Sequence, residues 1–419
     1  MRIAILTNEY PPHIYGGAGV HVEYLTREIA RLDGGAHQVE VLCFGDQKFS
    51  KDNLRVRGVA PEALVQSGDP RHSKVLVPFQ QNLQMAGMLE KPDIVHCHTW
   101  YTHLAGCLIK QLHNVPLVLS THSLEPHRPW KREQLGSGYD ATTWMERTAY
   151  RNADGIVAVS ASMERDVVTL YGVNPDRVQV IYNGIDVQEY APVHAPEVVA
   201  RYGIDPDDPY VLFVGRITRQ KGIVHFLRAA RYLENGTQIL LCASSPDTEE
   251  IGRETQRLVE EVRASGIRIS WIRDMVPRKD IVPLYSHAAV FVCPSIYEPF
   301  GIINLEAMAC GTPVVGSKVG GIAEAVLHRR TGLLVPYEPA GHGDPGPRDP
   351  KKFASDLGAG INLLLQNTEL REEMGRNARA RVVESFGWDV IAGQTLEFYA
   401  QLISTRERRQ AGRSTRKGQ

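Results

Sequence analysis

The sequence predicts an α/β protein built from two doubly wound, Rossmann-like domains. Short apolar runs rich in β-branched residues alternate with longer stretches of helical periodicity, which is typical of parallel sheets with crossover helices. This alternation stops between Asp186 and Asp208 and then restarts, so the chain contains two such series. The length of 419 residues fits two or three domains at roughly 100 to 200 residues each.

The first series begins at the N-terminus and predicts an N-terminal domain over residues 1–190. Its strands are predicted at Arg2 to Thr7, Gln38 to Cys43, Asp93 to His98, Leu117 to Thr121, Gly155 to Ser160 and Val178 to Tyr182. The segment from Asp186 to Asp208 is rich in Pro, Ala and Asp and has no sustained period. It is therefore predicted to be an inter-domain linker.

The second series predicts a C-terminal domain over residues 191–386, facing the first across a cleft. Its strands are predicted at Tyr210 to Gly215, Gln238 to Ala243, Ile267 to Ile272, Ala289 to Pro294, Pro313 to Ser317 and Gly332 to Val335. An amphipathic helix over 387–405 is expected to pack back on the N-terminal domain. Residues 406–419 contain six basic residues, one acid and no apolar periodicity, so a disordered basic tail is expected.

The bulk composition excludes several classes of partner. Lys and Arg number 47 against 48 Asp and Glu, so no overall field attracts nucleic acid or a membrane. The first apolar run is too short for a signal peptide, and no stretch approaches the roughly 20 apolar residues of a membrane span. The six cysteines form no Cys-x-x-Cys pair. We therefore expect a cytoplasmic protein with reduced thiols that binds a small molecule or a neutral polymer.

Doubly wound sheets bind ligands beyond the carboxyl ends of their strands, so polar residues that follow predicted strands are the candidates for ligand binding. The segment Tyr297 to Cys310 follows a predicted strand and carries Glu298 and Glu306. Its Pro-Phe-Gly turn should start a helix whose first N–H groups can bind a phosphate or a developing anion. Glu298 is expected at the cleft lip, against sugar hydroxyls, and Glu306 against a nucleotide ribose. Either acid alone would more ordinarily be a solvated or amphipathic-face acid.

A basic cluster follows the first strand of the second series, in the segment Gly215 to Gly222. Arg216 offers a planar guanidinium and Lys221 a point charge, and both suit a leaving diphosphate. The alternative is an ordinary solvated loop.

The N-terminal domain has weaker sequence signals for ligand binding. Gly16 and Gly17 lie in a glycine-rich loop that permits close approach of a phosphate or sugar but matches neither the Walker nor the dinucleotide pattern. His96, Cys97 and His98 are rejected as a metal site because adjacent strand residues face opposite ways. His122 is either a sugar contact or a structural histidine. No metal site and no cofactor are predicted.

These motifs together resemble a known family, the retaining family 4 glycosyltransferases of the GT-B architecture, especially the group of bacterial glycogen synthases and α-maltose-1-phosphate synthases. The resemblance rests on these motifs: Glu9-Tyr-Pro-Pro, Tyr15-Gly-Gly-Ala-Gly, Tyr182-Asn-Gly-Ile-Asp186, Arg216-Ile-Thr-Arg-Gln-Lys-Gly222 and Glu298 to Glu306. It implies metal-independent transfer from a nucleotide sugar with retention of anomeric configuration, by front-face attack within an ion pair.

The resemblance also implies roles for individual residues. Catalytic roles fall on Glu298, His122, Arg216 and Lys221, with His122 near the 6-hydroxyl of the sugar. Arg216 and Lys221 would bind the diphosphate, Gly17 the distal phosphate and Glu306 the ribose. The implied donor-binding set is Gly16, Gly17, Asn183, Arg216, Lys221, Glu298, Phe300, Gly301, Ile302 and Glu306.

Two sequence features indicate which enzymes within this group the chain resembles most. The stretch His122 to Tyr139 looks like that of actinobacterial-type maltose-1-phosphate synthases, and Ile14 stands where polymer-extending glycogen synthases usually carry lysine. We expect α-glucosyl transfer from ADP-glucose or UDP-glucose to glucose 1-phosphate, in glycogen or α-glucan biosynthesis. The predicted acceptor residues are Glu125, Arg128, Lys131 and Tyr139, with Arg132 as a further candidate and a solvated basic loop as the alternative.

Several rival functions stay open at this point. They are α-1,4-glucan extension by a glycogen synthase, transfer to another acceptor such as inositol or a lipid, an epimerase, a phosphorylase, and a non-catalytic nucleotide-sugar-binding protein. A homodimer is the oligomer expected if the chain self-associates.

Overall fold

The computed structural model describes residues 1–14, 16–61, 67–341 and 344–417. They form two compact units, one made of Met1–Gly184 with the C-terminal segment from Trp388, the other of Ile185–Gly387. The second unit begins before the predicted residue 191. The reason is local: the Ile185 N–H donates to the Phe386 carbonyl at 2.8 Å, which ties the start of this unit to its end.

The first unit contains an eight-stranded sheet in the order β3-β4-β2-β1-β5-β6-β7-β8. All neighbours are parallel except β3 and β4. The strands are β1 Arg2–Thr7, β2 Gln38–Phe44, β3 Lys48–Lys51, β4 Leu54–Val59, β5 Ile94–His98, β6 Leu117–Thr121, β7 Gly155–Ala158 and β8 Val178–Val180. The edge strand β3 and its neighbour β4 were not predicted, because β3 is short and exposed and arginines interrupt β4.

Six helices of the first unit precede its return segment. They are α1 Gly17–Arg31, α2 Ser73–Met88, α3 His103–His113, α4 Lys131–Leu135, α5 Gly138–Asn152 and α6 Ala161–Tyr171. Most cross from one parallel strand to the next, as the alternating pattern predicts.

The second unit contains a six-stranded parallel sheet in the order β11-β10-β9-β12-β13-β14, and a two-stranded antiparallel pair, β15 with β16. The strands are β9 Tyr210–Arg216, β10 Gln238–Ser244, β11 Arg268–Ile272, β12 Val290–Cys293, β13 Val314–Ser317, β14 Gly332–Val335, β15 Pro339–Gly341 and β16 Asp344–Pro347. All six strands of the main sheet were predicted from their apolar runs.

The helices of the second unit begin inside the predicted linker. They are α7 Pro196–Arg201, α8 Ile223–Ala229, α9 Glu249–Ala264, α10 Arg278–His287, α11 Ile302–Ala309, α12 Ile322–Ala325, α13 Pro350–Gln366 and α14 Thr368–Ser385. The prediction of a linker over 186–208 is therefore wrong at α7. Arg201 and Tyr202 bind the Asp280 carboxylate at 3.1 and 2.8 Å, which fixes this short helix on α10.

The last helix, α15 Trp388–Lys417, belongs to the first unit, as predicted for its N-terminal half. Trp388 stacks on Tyr24 of α1 with ring centroids 5.6 Å apart, and Tyr399 is fully buried. The prediction of a disordered tail from residue 406 is wrong for the backbone, which stays helical to Lys417. Arg, Gln and Ala are good helix formers, so a solvated helix can continue there without apolar periodicity.

Both main sheets have one point where the strand order reverses. In the first unit β1 lies between β2 and β5, and in the second β9 lies between β10 and β12. Crossover connections leave on opposite sides of such a point and open a crevice at the carboxyl ends of the strands. The loops after β1 and β5, and those after β9 and β12, are therefore where the fold favours ligand binding.

Candidate functional site

The loops after β9 and β12 are locked together at the reversal point of the second unit. The Ile296 N–H donates to the Gln220 carbonyl at 3.0 Å. Gly222 precedes α8 with φ +67°, and a Cβ there would lie 2.0 Å from the Pro294 carbonyl oxygen. Only glycine tolerates both the backbone angle and this approach. The basic loop is thus held directly against the segment that carries Glu298.

Lys221, which is half-buried, and Glu298, which is buried, form an ion pair in this place. Nζ of Lys221 lies 2.7 Å from Oε2 of Glu298, which also accepts from the Ser295 hydroxyl at 3.0 Å. Burial lowers the pKa of Lys221, but the adjacent carboxylate outweighs it and raises that pKa above its usual value. Glu298 is only 5% exposed, and Lys221, which is predicted to bind the diphosphate, is thus also paired with this carboxylate.

The backbone around Phe300 is shaped for an anion. Gly301 precedes α11 with φ +87°, and within the described residues no acceptor pairs with the N–H groups of Gly301 and Ile302. Phe300 is buried beside Phe386, with ring centroids 5.9 Å apart. The Gly321 N–H donates to the Glu298 carbonyl at 3.0 Å and fixes the start of the turn. N–H groups at a helix N-terminus next to a cation suit a phosphate or a developing negative charge.

Glu306 and Arg216, two further predicted donor-binding residues of this unit, already have partners within the protein. The Tyr285 hydroxyl donates to Oε2 of Glu306 at 2.8 Å, and burial raises the pKa of this half-buried carboxyl. Arg216, at the end of β9, binds Asp247 at 3.0 Å. The sequence did not single out Tyr285, Asp247 or Ser295. Ser295 alone had a signal, since it directly follows the strand that leads to Glu298.

At the reversal point of the first unit, a hydrogen-bond chain supports the glycine loop. Thr99, with φ +67°, donates to Oδ1 of Asn8 at 2.8 Å, and the Asn8 amide donates to Glu9 at 3.2 Å. Glu9 accepts from the Gly16 N–H at 2.8 Å. Gly17 begins α1 with an exposed N–H that has no acceptor among the described residues. Tyr15 lies outside the described residues.

A cluster of imidazoles follows β5 and β6. Nδ1 of His98 and Nε2 of His122 are 2.9 Å apart, and the ring of His21 lies 4.8 Å from that of His122. Burial lowers the pKa of His122 to about 4, so its ring is neutral at pH 7. His96 and His98 share a face with ring centroids 4.3 Å apart, because they are two positions apart on the strand. Alternation therefore separates Cys97, but not His96, from His98.

Asn183, predicted to bind the donor, lies next to this cluster. Its Oδ1 is buried without a partner in the described structure. The asparagine is thus available to a ligand through one oxygen.

The predicted acceptor residues surround the Glu125 side chain, which is 1% exposed. Arg128 and Lys131 each place one nitrogen 3.5 Å from its Oε1, and the Tyr139 hydroxyl donates to its backbone carbonyl at 2.5 Å. Burial lowers the pKa of Lys131 more than Glu125 raises it. Two cations thus share one carboxylate through long contacts.

A second carboxyl in this cluster escaped the sequence analysis. Oε2 of Glu146 accepts from the Glu125 N–H at 2.9 Å and from the Tyr171 hydroxyl. Burial, followed by the nearby Glu125, raises the pKa of Glu146 to about 8. Glu146 had no signal, since it lies within a helix, α5, far from any strand end. Arg132, by contrast, is exposed and paired with Asp140, away from Glu125.

Comparison with known proteins identifies similar sequences over nearly the whole chain. Residues 15–189 match the family described as Glycosyltransferase Family 4, and residues 195–381 match the glycosyl transferases group 1. An α-maltose-1-phosphate synthase from Mycolicibacterium smegmatis is 43% identical over 96% of this chain and 100% of the relative. A glycogen synthase from Mycobacterium tuberculosis is 27% identical over 95% of this chain and 94% of the relative.

A solved structure supports the fold. The sucrose-phosphate synthase of Thermosynechococcus elongatus superposes with a TM-score of 0.77 at 24% identity, covering 96% of this chain and 99% of that one. The predicted GT-B fold is therefore confirmed. Among the described residues, no helix is both long and apolar enough to cross a membrane.

Proposed function

Because this chain belongs to the family 4 glycosyltransferases, we propose that it transfers an α-glucosyl group from ADP-glucose or UDP-glucose to glucose 1-phosphate, giving α-maltose 1-phosphate. The observation that carries the proposal is the 43% identity to an α-maltose-1-phosphate synthase along its full length. The buried charges of the two units supply the chemistry it needs, and each unit contributes separately.

The second unit supports the handling of the donor. Lys221 is fixed by Glu298 at 2.7 Å, beside the unpaired N–H groups of Gly301 and Ile302. As the bond from C1 of glucose to the diphosphate oxygen breaks, negative charge develops on the leaving nucleoside diphosphate. Preorganised cations and N–H groups stabilise such charge without reorganising. Glu306, oriented by Tyr285, is the ribose ligand in this proposal.

The first unit supports the recognition of a phosphorylated acceptor. Arg128 and Lys131 offer two positive charges against the single carboxylate of Glu125, while Glu146 is mostly protonated at pH 7 because its pKa is about 8. The cluster therefore holds surplus positive charge, which suits the phosphate of glucose 1-phosphate. A neutral glucan end would not use it.

The reaction retains configuration in this proposal. The acceptor hydroxyl attacks C1 on the face that the diphosphate leaves, and its proton passes to an oxygen of the leaving diphosphate. No side chain then needs to act as a nucleophile. His122, neutral at pH 7, can exchange a hydrogen bond with the sugar without adding charge.

One experiment tests the function. The enzyme is incubated with ADP-glucose or UDP-glucose, and glucose 1-phosphate and glycogen are offered separately, with products identified by mass. We expect a disaccharide phosphate with glucose 1-phosphate. Exclusive polymer extension would instead favour the glycogen synthase alternative, to which the 27% identical relative points. Donor consumption without any acceptor would indicate an epimerase or a hydrolase.

We also propose that the protein works in the cytoplasm. The six cysteines are all free in the structure, in keeping with a reducing compartment. Fractionation of cells that express the tagged chain tests this location.

A further inference from the structure

One group of side chains in the first unit has the make-up of a metal site. Within the described part of the chain, His21, His98 and His122 each offer one ring nitrogen that lies within 4.8 Å of the other two. His21 and His98 are buried, and His122 is half-buried. His21 lies in α1, His98 is the last residue of β5, and His122 directly follows β6. Regular secondary structure therefore positions the first two rings, and the end of a strand positions the third.

Unpaired ring nitrogens are a second, independent observation. Nδ1 of His21 and Nε2 of His98 are buried and have no hydrogen-bond partner among the residues that the structure describes. The two side chains are 2% and 0% exposed, so water does not reach them from bulk solvent. Buried polar atoms are nearly always paired, and an orphan needs an explanation such as an ion. A bound cation would give these imidazoles the partner that the protein does not.

The chemistry of the ligands selects the class of metal. Three imidazoles without a carboxylate suit Zn²⁺, Co²⁺, Ni²⁺ or Cu²⁺ and not Mg²⁺ or Ca²⁺, which need oxygen ligands. Zinc lies about 2.0 to 2.1 Å from such nitrogens, so the three rings, whose nitrogens lie within 4.8 Å of one another, would draw together around it.

We propose that His21, His98 and His122 bind a divalent transition-metal ion of the Zn²⁺ class, and that the bound ion inhibits sugar transfer. Inhibition follows because the ion occupies the His122 nitrogen that would otherwise contact the sugar. This second half rests on the proposed function, whereas binding itself does not.

Binding is tested by adding Co²⁺ to the metal-free full chain and recording its visible absorption. We expect one Co²⁺ per chain with the bands of a nitrogen-ligated ion, displaced by Zn²⁺. His98→Leu and His21→Leu should each abolish the bands. His103→Leu is the matched control, because His103 is equally buried and both of its ring nitrogens are unpaired, yet it lies outside the cluster. Unchanged bands in His98→Leu would overturn the site.

A measurement on the unaltered protein covers the case in which a leucine variant fails to fold. Zinc-edge X-ray absorption of the loaded chain should show three imidazole ligands. Fewer than two would overturn the proposal.

Inhibition is then measured at the Zn²⁺ concentration that saturates the site. We expect at least a tenfold loss of transfer, reversed by a chelator. Full activity with the ion bound would overturn the inhibitory half. If the metal-free enzyme transfers no sugar to any acceptor, the proposed function fails, while the spectra still decide the metal site.

Discussion

Each unit buries a lysine beside a glutamate, but the two pairs differ in geometry. Lys221 contacts Glu298 at 2.7 Å, whereas Lys131 lies 3.5 Å from Glu125 and shares that carboxylate with Arg128. The pKa of Lys221 is raised, because its carboxylate outweighs burial, and the pKa of Lys131 is lowered, because burial prevails. The first pair is complete as it stands. The second retains positive charge that an anionic ligand can still use.

The largest effect is expected from breaking the complete pair. Lys221→Ala should lower kcat/KM at least about a hundredfold, roughly 2.7 kcal/mol, the scale of losing one preorganised electrostatic contact. Glu298→Ala should do the same, since Lys221 would lose its anchor. Arg219→Ala is the control, because Arg219 lies in the same loop but is exposed and paired with Glu250. Steady-state kinetics with near-normal rates in either variant would remove that residue from the site.

Substitutions in the cluster around Glu125 should weaken binding of the acceptor. Arg128→Ala and Lys131→Ala should each raise the KM for glucose 1-phosphate at least about tenfold, since a hydrogen bond to a charged group contributes about 1.5 to 3 kcal/mol. The KM for the nucleotide sugar should stay constant. Arg132→Ala is the matched control, because Arg132 is exposed and paired with Asp140. An unchanged acceptor KM in both variants would reduce the cluster to a structural ion pair.

The sequence predicted all six strands of the second main sheet and six of the eight in the first, because parallel strands are buried on both faces and appear as continuous apolar runs. It also predicted the turn before Ile302, since Pro299 and Gly301 carry strong local signals. What it missed depends on side chains from elsewhere in the fold. Tyr285 reaches Glu306 from α10, and Glu146 reaches Glu125 from α5, and neither contact leaves a local pattern.

Loss of the hydrogen bond that orients Glu306 should have an intermediate effect, on binding of the donor. Tyr285→Phe removes the hydroxyl that donates to its carboxylate and should raise the donor KM about threefold to tenfold, as expected for about 0.5 to 1.5 kcal/mol. The kcat should change little. Tyr210→Phe is the control, because it also deletes a buried hydroxyl of this unit, one that donates to the Leu284 carbonyl. An equal rise of the donor KM in both variants would show a general loss of packing.

The smallest effect is expected from the ionisation of Glu146, the second carboxyl in the cluster around Glu125. Glu146 has a pKa of about 8 in the folded protein, above its value in an unfolded chain, because it is buried beside Glu125. Its stabilising contribution is complete below the unfolded pKa and is lost as the pH rises through about 8. The free energy of unfolding should therefore fall as the pH rises from about 4.5 to about 8, and fall less in Glu146→Gln, as urea titrations would measure.

The same ionisation should weaken the acceptor site. Deprotonated Glu146 adds a negative charge near Arg128, with Tyr171 and Glu125 as its other neighbours, and so cancels the surplus positive charge. The KM for glucose 1-phosphate should rise about threefold from pH 7 to 9 in the unaltered enzyme and stay flat in Glu146→Gln. The donor KM is the internal control, since Lys221 has a raised pKa and keeps its charge throughout this range. Parallel changes in both KM values would contradict a local origin and remove the distinction between the two pairs.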